Sequence, residues 1–328
     1  MIEINILRKV LLDQDFQINE LDIDKTKAIT EILKEMKLRN NFMNLCKSAE
    51  IKDHAPLRKK EFIIKNIYIK NISLKLTEQR VKHVFIKGVP LSNSFYKNPS
   101  DRIYTDADIL IDLKDYKKFY KFLDANNLKH SFNYKYLDRI GYTRSALEVI
   151  DTEVNLDFHF KITESFKKND CRLSKYSLKN YTVLDDLPVP SNELLLTICL
   201  YNALKKDQLK SGPIYLVDSE RIIKKGVNED YLSTILSDFN LTNFYKETIC
   251  LIENLKKGVE TREQTNFIVG LFKNEGKRSF IPSKRNILTQ VMHILDPEPY
   301  INYVGGDLKA NHFLELLRNK LKRAKKRF

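Results

Sequence analysis

The sequence predicts an α+β protein, a mixed β-sheet flanked by helices, set between helical N-terminal and C-terminal regions. Three observations predict it. Short apolar runs and strictly alternating runs are confined to residues 81 to about 165. Apolar residues on either side recur at helical spacing. Only 9 glycines and 9 prolines punctuate 328 residues, which suits helices joined by short connections. That length holds about two domains at roughly 150 residues each. The pattern divides the chain into a helical region at 1–80, a central core at 81–165 and a helical domain with a basic tail at 166–328.

In the first region, Ile29, Ile32, Leu33 and Met36 form one helical stripe, with Asp24 as its N-cap. Ile63, Ile64, Ile67 and Leu74 are expected to form the apolar stripe of a second helix, and Pro56 the turn between the two. At Val84-Phe85-Ile86 the texture changes to a buried strand, ended by Gly88 and followed by Pro90 in the first turn of a helix.

Residues 106–113 alternate: Ala107, Ile109, Ile111 and Leu113 share one face, while Asp106, Asp108, Leu110 and Asp112 share the other. Residues 115–127 read as an amphipathic helix with Tyr116, Phe119, Tyr120 and Leu123 on its stripe. Strands are expected at 130–137 and 142–150, with a turn around Asp138 and Gly141. In 153–160, Asp157 and His159 share the polar face opposite Val154, Leu156, Phe158 and Phe160. From Ser191 the chain is helical through Leu204, then near 215–225, 229–239, 241–256, 262–273 and 284–295.

With 42% hydrophobic residues the chain can bury a full-sized core, which excludes a disordered protein. The 57 Lys and Arg against 43 Asp and Glu leave a formal charge of +14. That excess favours polyanionic partners such as NTP, RNA, DNA or an acidic membrane face, or else reflects a Lys-rich surface. Cys46, Cys171, Cys199 and Cys250 are scattered without a CxxC pair, so neither a zinc site nor a disulfide framework is expected. Asp13, Asp15, Glu20 and Asp22 stand where a signal peptide would be apolar, and no run approaches the ~18 apolar residues of a membrane span. The expectation is a soluble, cytoplasmic protein. Arg318, Lys320, Lys322, Arg323, Lys325, Lys326 and Arg327 crowd the C-terminus, which suits RNA, an anionic surface or a solvated helix end.

The chemistry concentrates on carboxylates. An Asp-x-Asp on a strand projects both groups to one side, about 6–7 Å apart. Two such anions repel, and a divalent cation relieves them while engaging substrate phosphates. Asp157, on a neighbouring strand, would complete a metal clamp with Asp106 and Asp108. On this reading Asp108→Ala abolishes the chemistry and leaves stability unchanged or raised. Lys87 at a strand end would point into the site, and Gly88 would let backbone N–H groups approach phosphate. Arg102 suits a phosphate clamp, or an ion pair with Asp101 or Asp106. His159 would orient Asp157 by a hydrogen bond, or serve structurally. Asp218 reads chiefly as a helix N-cap, with substrate contact the other option.

The run Lys87-Gly88-Val89-Pro90-Leu91, Tyr96, Pro99, Arg102 and Asp106-Ala107-Asp108 resembles an uncharacterised nucleotidyltransferase family of the polymerase-β-like superfamily. Asp157-Phe158-His159 and Leu216-Val217-Asp218 extend the resemblance over residues 40 to about 240. It implies the nucleotidyltransferase fold and transfer of a nucleoside monophosphate from an NTP, ATP among them, to an acceptor hydroxyl. It further implies two Mg²⁺ (or Mn²⁺) ions, both bridged by Asp106 and Asp108, with Asp157 on the catalytic one. Lys205 or Lys206 would meet the triphosphate, or else line an exposed helix face. The superfamily's Gly-Ser pair is here Gly88-Val89, so its phosphate contact passes to backbone N–H groups, Lys87, Ser92 or Ser94. The acceptor could be a small molecule, a peptide or protein, or RNA, as in toxin-like relatives. A non-catalytic nucleotide or RNA binder is the remaining reading, and the repulsive carboxylate cluster argues against it.

Overall fold

The computed structural model describes residues 2–13, 55–128, 146–149, 154–162, 172–206, 209 and 212–272. The expectations for residues 24–36, 130–137, 284–295 and the basic C-terminus lie outside them.

Among the described residues, four strands form the central sheet: β1 (His83–Ile86), β2 (Asp106–Ile111), β3 (Ala146–Val149) and β4 (Asn155–His159), in the order β1-β2-β4-β3. β1 runs antiparallel to β2, β2 parallel to β4, and β4 antiparallel to β3. A parallel neighbour needs a crossover. Here the chain between β2 and β4 includes a 3₁₀ turn at Leu113–Asp115, a helix at Tyr116–Ala125 and β3.

Among the described residues the helices, in chain order, are α1 (Ile2–Leu11), α2 (Ala55–Glu78), α3 (Gly88–Phe95), α4 (Tyr116–Ala125), α5 (Arg172–Lys179), α6 (Asn192–Tyr201), α7 (Ile214–Lys225), α8 (Glu229–Asp238), α9 (Thr242–Lys257) and α10 (Arg262–Phe272). Alternation along the strands sends their residues to two different cores. Phe85, Ala107, Ile109, Leu147, Leu156 and Phe158 pack with Ile69, Ile72 and Leu76 of α2 and Phe119, Phe122 and Leu123 of α4. Val84, Ile86 and Leu110 turn the other way, into one cluster with α1, α3 and the C-terminal helices. The acidic face of β2 therefore looks toward the helical half. Each fully buried aliphatic or aromatic side chain contributes about 1.5–3 kcal/mol, so both cores hold the sheet between them.

Two expectations need correction. The stripe Ile63, Ile64, Ile67 and Leu74 is the exposed side of α2, at 47%, 43%, 64% and 57%, while Ile69, Ile72 and Leu76 are buried. The segment Ile63–Leu76 carries two interleaved apolar stripes of the same period, and packing chooses between them. The second correction is a hairpin the sequence reading lacked, β5 (Tyr181–Leu184) and β6 (Leu187–Pro190). Its two turn residues, Asp185 and Asp186, have φ of 50° and 64°, as a type I′ turn requires.

From α6 to α10 the boundaries fall within a few residues of those expected, except that the helix from Ser191 continues past Tyr201 as a π-helical turn, Asn202–Lys206. No helix among the described residues is long and apolar enough to cross a membrane.

Candidate active site

The parallel register of β2 and β4 sets Asp108 beside Asp157 and Asp106 beside Asn155. Neighbours in a ladder share a face, so Asp106, Asp108, Asp157 and His159 all emerge on the side opposite the α2–α4 core. His159 Nε2–H donates between two carboxylates, 2.7 Å from Asp108 Oδ1 and 3.1 Å from Asp157 Oδ2. Ligand atoms of Asp108, Asp157 and His159 all lie within 4.8 Å of one another. The residue fifty positions away thus meets Asp108 directly. Glu148 of β3 stands in register with Asp157, a position the sequence reading passed over.

Burial differs within the group. Asp108 is 4% exposed, while Asp106 and Asp157 are half-buried. Burial alone would raise the Asp108 pKa; the Lys87 ammonium and the His159 hydrogen bond reverse this and hold it down to about 2. Asp157 is likewise raised by burial and lowered further by His159, ending below its ordinary value. Burial pulls His159 down, but its two carboxylate partners outweigh that and raise it.

Lys87 joins β1 to α3 with φ of 61°, a positive value that is uncommon for a residue with a side chain. Its ammonium contacts Asp108 Oδ1 and lies 3.4 Å from His159 Nε2. Burial depresses the Lys87 pKa, and Asp108 more than restores it. At Gly88 a Cβ would come within 2.7 Å of Tyr104 Cβ, so the glycine allows α3 to start directly against the segment leading into β2. These partners reverse the stability expectation for Asp108, which is a paired group and not only a repelled one.

Other predicted residues fall differently. Asp106 is outside the three-residue group; its Oδ1 accepts from the Thr105 hydroxyl at 3.0 Å. Ser92 is fully buried, and its hydroxyl donates to the Pro99 carbonyl. Arg102 pairs with neither Asp101 nor Asp106. Its Nε and Nη2 both donate to Asp218, at 3.0 Å each, and Nη1 donates to the Ile103 carbonyl at 2.6 Å. Asp218 is no N-cap: it is the fifth residue of α7, 3% exposed, and accepts a 2.7 Å bond from the Tyr96 hydroxyl as well. The Arg102–Asp218 pair spans 116 residues, a distance at which sequence gives no pairing signal. Lys205 and Lys206 lie in the π-helical turn after α6.

A cleft of about 190 Å³ opens beside the carboxylates. Lys87, Gly88, Arg102, Asp106 and Asp108 line one wall, and Leu195, Ile198, Asn202, Ile214 and Tyr215 line the other. The space is below the ~300–1,000 Å³ of a typical complete ligand site, and it suits one portion of a nucleotide.

Mixed sheet, helices and this acidic face together define an α+β protein carrying a nucleotidyltransferase domain. The chain belongs to the uncharacterised nucleotidyltransferase family, whose pattern it matches over residues 63–256. That match takes in most of α2, the whole central sheet and the helices through most of α9. No curated protein matches the chain.

The donor set fits a divalent cation. The Asp108 and Asp157 carboxylates, close together and oriented by His159, suit a hard ion such as Mg²⁺ or Mn²⁺, and Asp106 stands one strand repeat away on the same face.

Proposed function

We propose that the chain is a cytoplasmic, metal-dependent nucleotidyltransferase that moves a nucleoside monophosphate from an NTP to an acceptor hydroxyl and releases pyrophosphate. The observation that carries this reading is the β2–β4 register, which sets Asp108 against Asp157 at the edge of a cleft lined from both halves. Asp106, Asp108 and Asp157 would hold Mg²⁺ or Mn²⁺, two ions in the full arrangement, which neutralise phosphate charge and lower the pKa of the attacking hydroxyl. That hydroxyl oxygen forms the new bond to the α-phosphorus, the bond to the β-phosphate oxygen breaks, and pyrophosphate leaves.

Asp157, the more open carboxylate of the close pair, takes the hydroxyl proton. His159 holds Asp108 and Asp157 in one orientation through its Nε2–H. Gly88 and the start of α3 face the cleft and offer N–H groups to phosphate. Leu195, Ile198 and Ile214 exclude water from the nucleoside portion. Positioning and charge neutralisation supply most of the acceleration in such transfers.

Incubation with each α-labelled NTP, Mg²⁺ or Mn²⁺ and cell extract tests the reading. Labelled product and pyrophosphate are expected from the wild type and not from Asp108→Asn. Label in the RNA fraction would assign the acceptor to the class that a charge of +14 favours. Absence of labelled product with all four NTPs overturns the proposal.

A further inference from the structure

The geometry points to Lys87 as a resident counter-ion that holds the cation position between Asp108 and His159 until a metal–NTP complex displaces it. The inference rests on the nucleotidyltransfer reading and adds the form in which the site takes its substrate.

Asp108 is almost fully buried beside a second carboxylate, an arrangement that needs a cation within contact distance. Lys87 supplies it, touching Asp108 Oδ1 and approaching His159 Nε2 to 3.4 Å. Those are two of the three side chains that form the metal-sized group. An ammonium there and a divalent ion cannot share the space, and their like charges repel at such range. Free metal therefore has to expel Lys87 from its contact with the buried Asp108 carboxylate.

Arrival of the metal with a triphosphate changes the balance. Lys87 lines the same cleft as Asp106 and Asp108, so its displaced ammonium swings onto phosphate oxygens within that cleft. Among the described cationic side chains lining the cleft, Arg102 is committed to Asp218 and the Ile103 carbonyl, whereas Lys87 has a flexible stem free to move. Its anchor points stay fixed meanwhile. The positive-φ turn at Lys87 and the close approach of Gly88 to Tyr104 hold the backbone, so only the four-carbon side chain travels.

Mn²⁺ binding followed by electron paramagnetic resonance, with and without a non-hydrolysable ATP analogue, tests this on the full chain. Wild type should bind free Mn²⁺ weakly and gain at least tenfold in affinity with the analogue, by a coupling that is reciprocal. Lys87→Met should bind free Mn²⁺ at least tenfold more tightly than wild type and bind the analogue more weakly. Lys87→Arg, which keeps the charge, should retain weak free-metal binding, and it serves should the Met variant fold poorly. Equal free-Mn²⁺ affinity in wild type and Lys87→Met, or tight free-metal binding by wild type, overturns the inference while leaving the metal site intact. Mn²⁺ binding unchanged by Asp108→Asn, or absent from every form with and without analogue, overturns the nucleotidyltransfer reading too.

Discussion

At the residue scale, Asp106 and Asp108 are two positions apart on one strand face, yet their surroundings differ. Asp108 is buried with Lys87 and His159 as partners, whereas half-buried Asp106 accepts from Thr105. Both Asp→Asn changes are expected to abolish transfer. Only Asp108→Asn should also destabilise the metal-free protein, by about 1–3 kcal/mol, because it strands the Lys87 ammonium. That is below the ~3–5 kcal/mol of a fully buried pair, since a quarter of the Lys87 side chain reaches water. Asp106→Asn should stay within about 0.5 kcal/mol. Urea denaturation of both variants decides, and equal stabilities would show that the Lys87 contact carries no weight. The acidic trio was legible because strict alternation in 106–111 and 155–159 fixes which residues share a face. Lys87 was expected to point into the site and does, but its pairing with Asp108 and its approach to His159 were not legible, because they depend on contacts between residues 21 and 72 positions apart.

At the scale of elements, α8, α9 and α10 were readable because each carries a dominant apolar stripe, and α6 because its apolar run is long and begins at Ser191. α2 was misread because its two stripes are equivalent until the sheet and α4 bury Ile69, Ile72 and Leu76. Part of the join between β-core and helical half was also hidden, since besides the apolar contacts of Val84, Ile86 and Leu110 it includes a buried ion pair. Arg102, from the segment leading into β2, forks onto Asp218 of α7, and the two side chains are 8% and 4% exposed. Arg102→Met leaves a buried carboxylate unpaired and should cost about 3–5 kcal/mol. Asp218→Asn strands the guanidinium at similar cost. The double variant is neutral and keeps an acceptor for the Tyr96 hydroxyl, so a double-mutant cycle should recover more than half of the summed loss. Strict additivity would mean that the pair contributes nothing. At the start of α6, Glu193 Oε1 accepts from the Asn228 N–H at 2.7 Å and so fixes the entry to α8. Burial raises its pKa, and the backbone hydrogen bond overrides this and leaves it lowered. A lowered folded value means stability present above the unfolded pKa near 4.5 and lost as pH falls through the folded one. Glu193→Gln should therefore cost about 1 kcal/mol at pH 7. The difference should shrink below about pH 4.5, measured as thermal midpoints from pH 7 to 3; a constant difference would assign the contact no charge.

At the scale of the whole molecule, the chain closes on itself: α1 packs against α7, α9 and α10. Ile4, Ile6, Leu7, Val10 and Leu11 are each at most 3% exposed and belong to the core that contains the helices after β4. Polar contacts reinforce the closure. Arg8 donates to the Leu255 carbonyl at 2.7 Å and pairs with Glu260, while Asp13 pairs with Arg221 and Lys224. Five buried aliphatic side chains at about 1.5–3 kcal/mol each amount to roughly 10 kcal/mol, comparable to the whole stability of a typical domain. Deleting residues 1–13 should therefore unfold the helical half, even though no residue of the acidic face is touched. The sheet with α2 and α4 has its own core, so it should resist longest. Limited proteolysis of the truncated chain should cut first within 192–272 and spare 60–128. A synthetic peptide of residues 1–13 added in trans should restore protection. Protease resistance equal to that of the full chain would show that α1 is an accessory to the fold, and first cleavage in the sheet would show that the two cores are one cooperative unit.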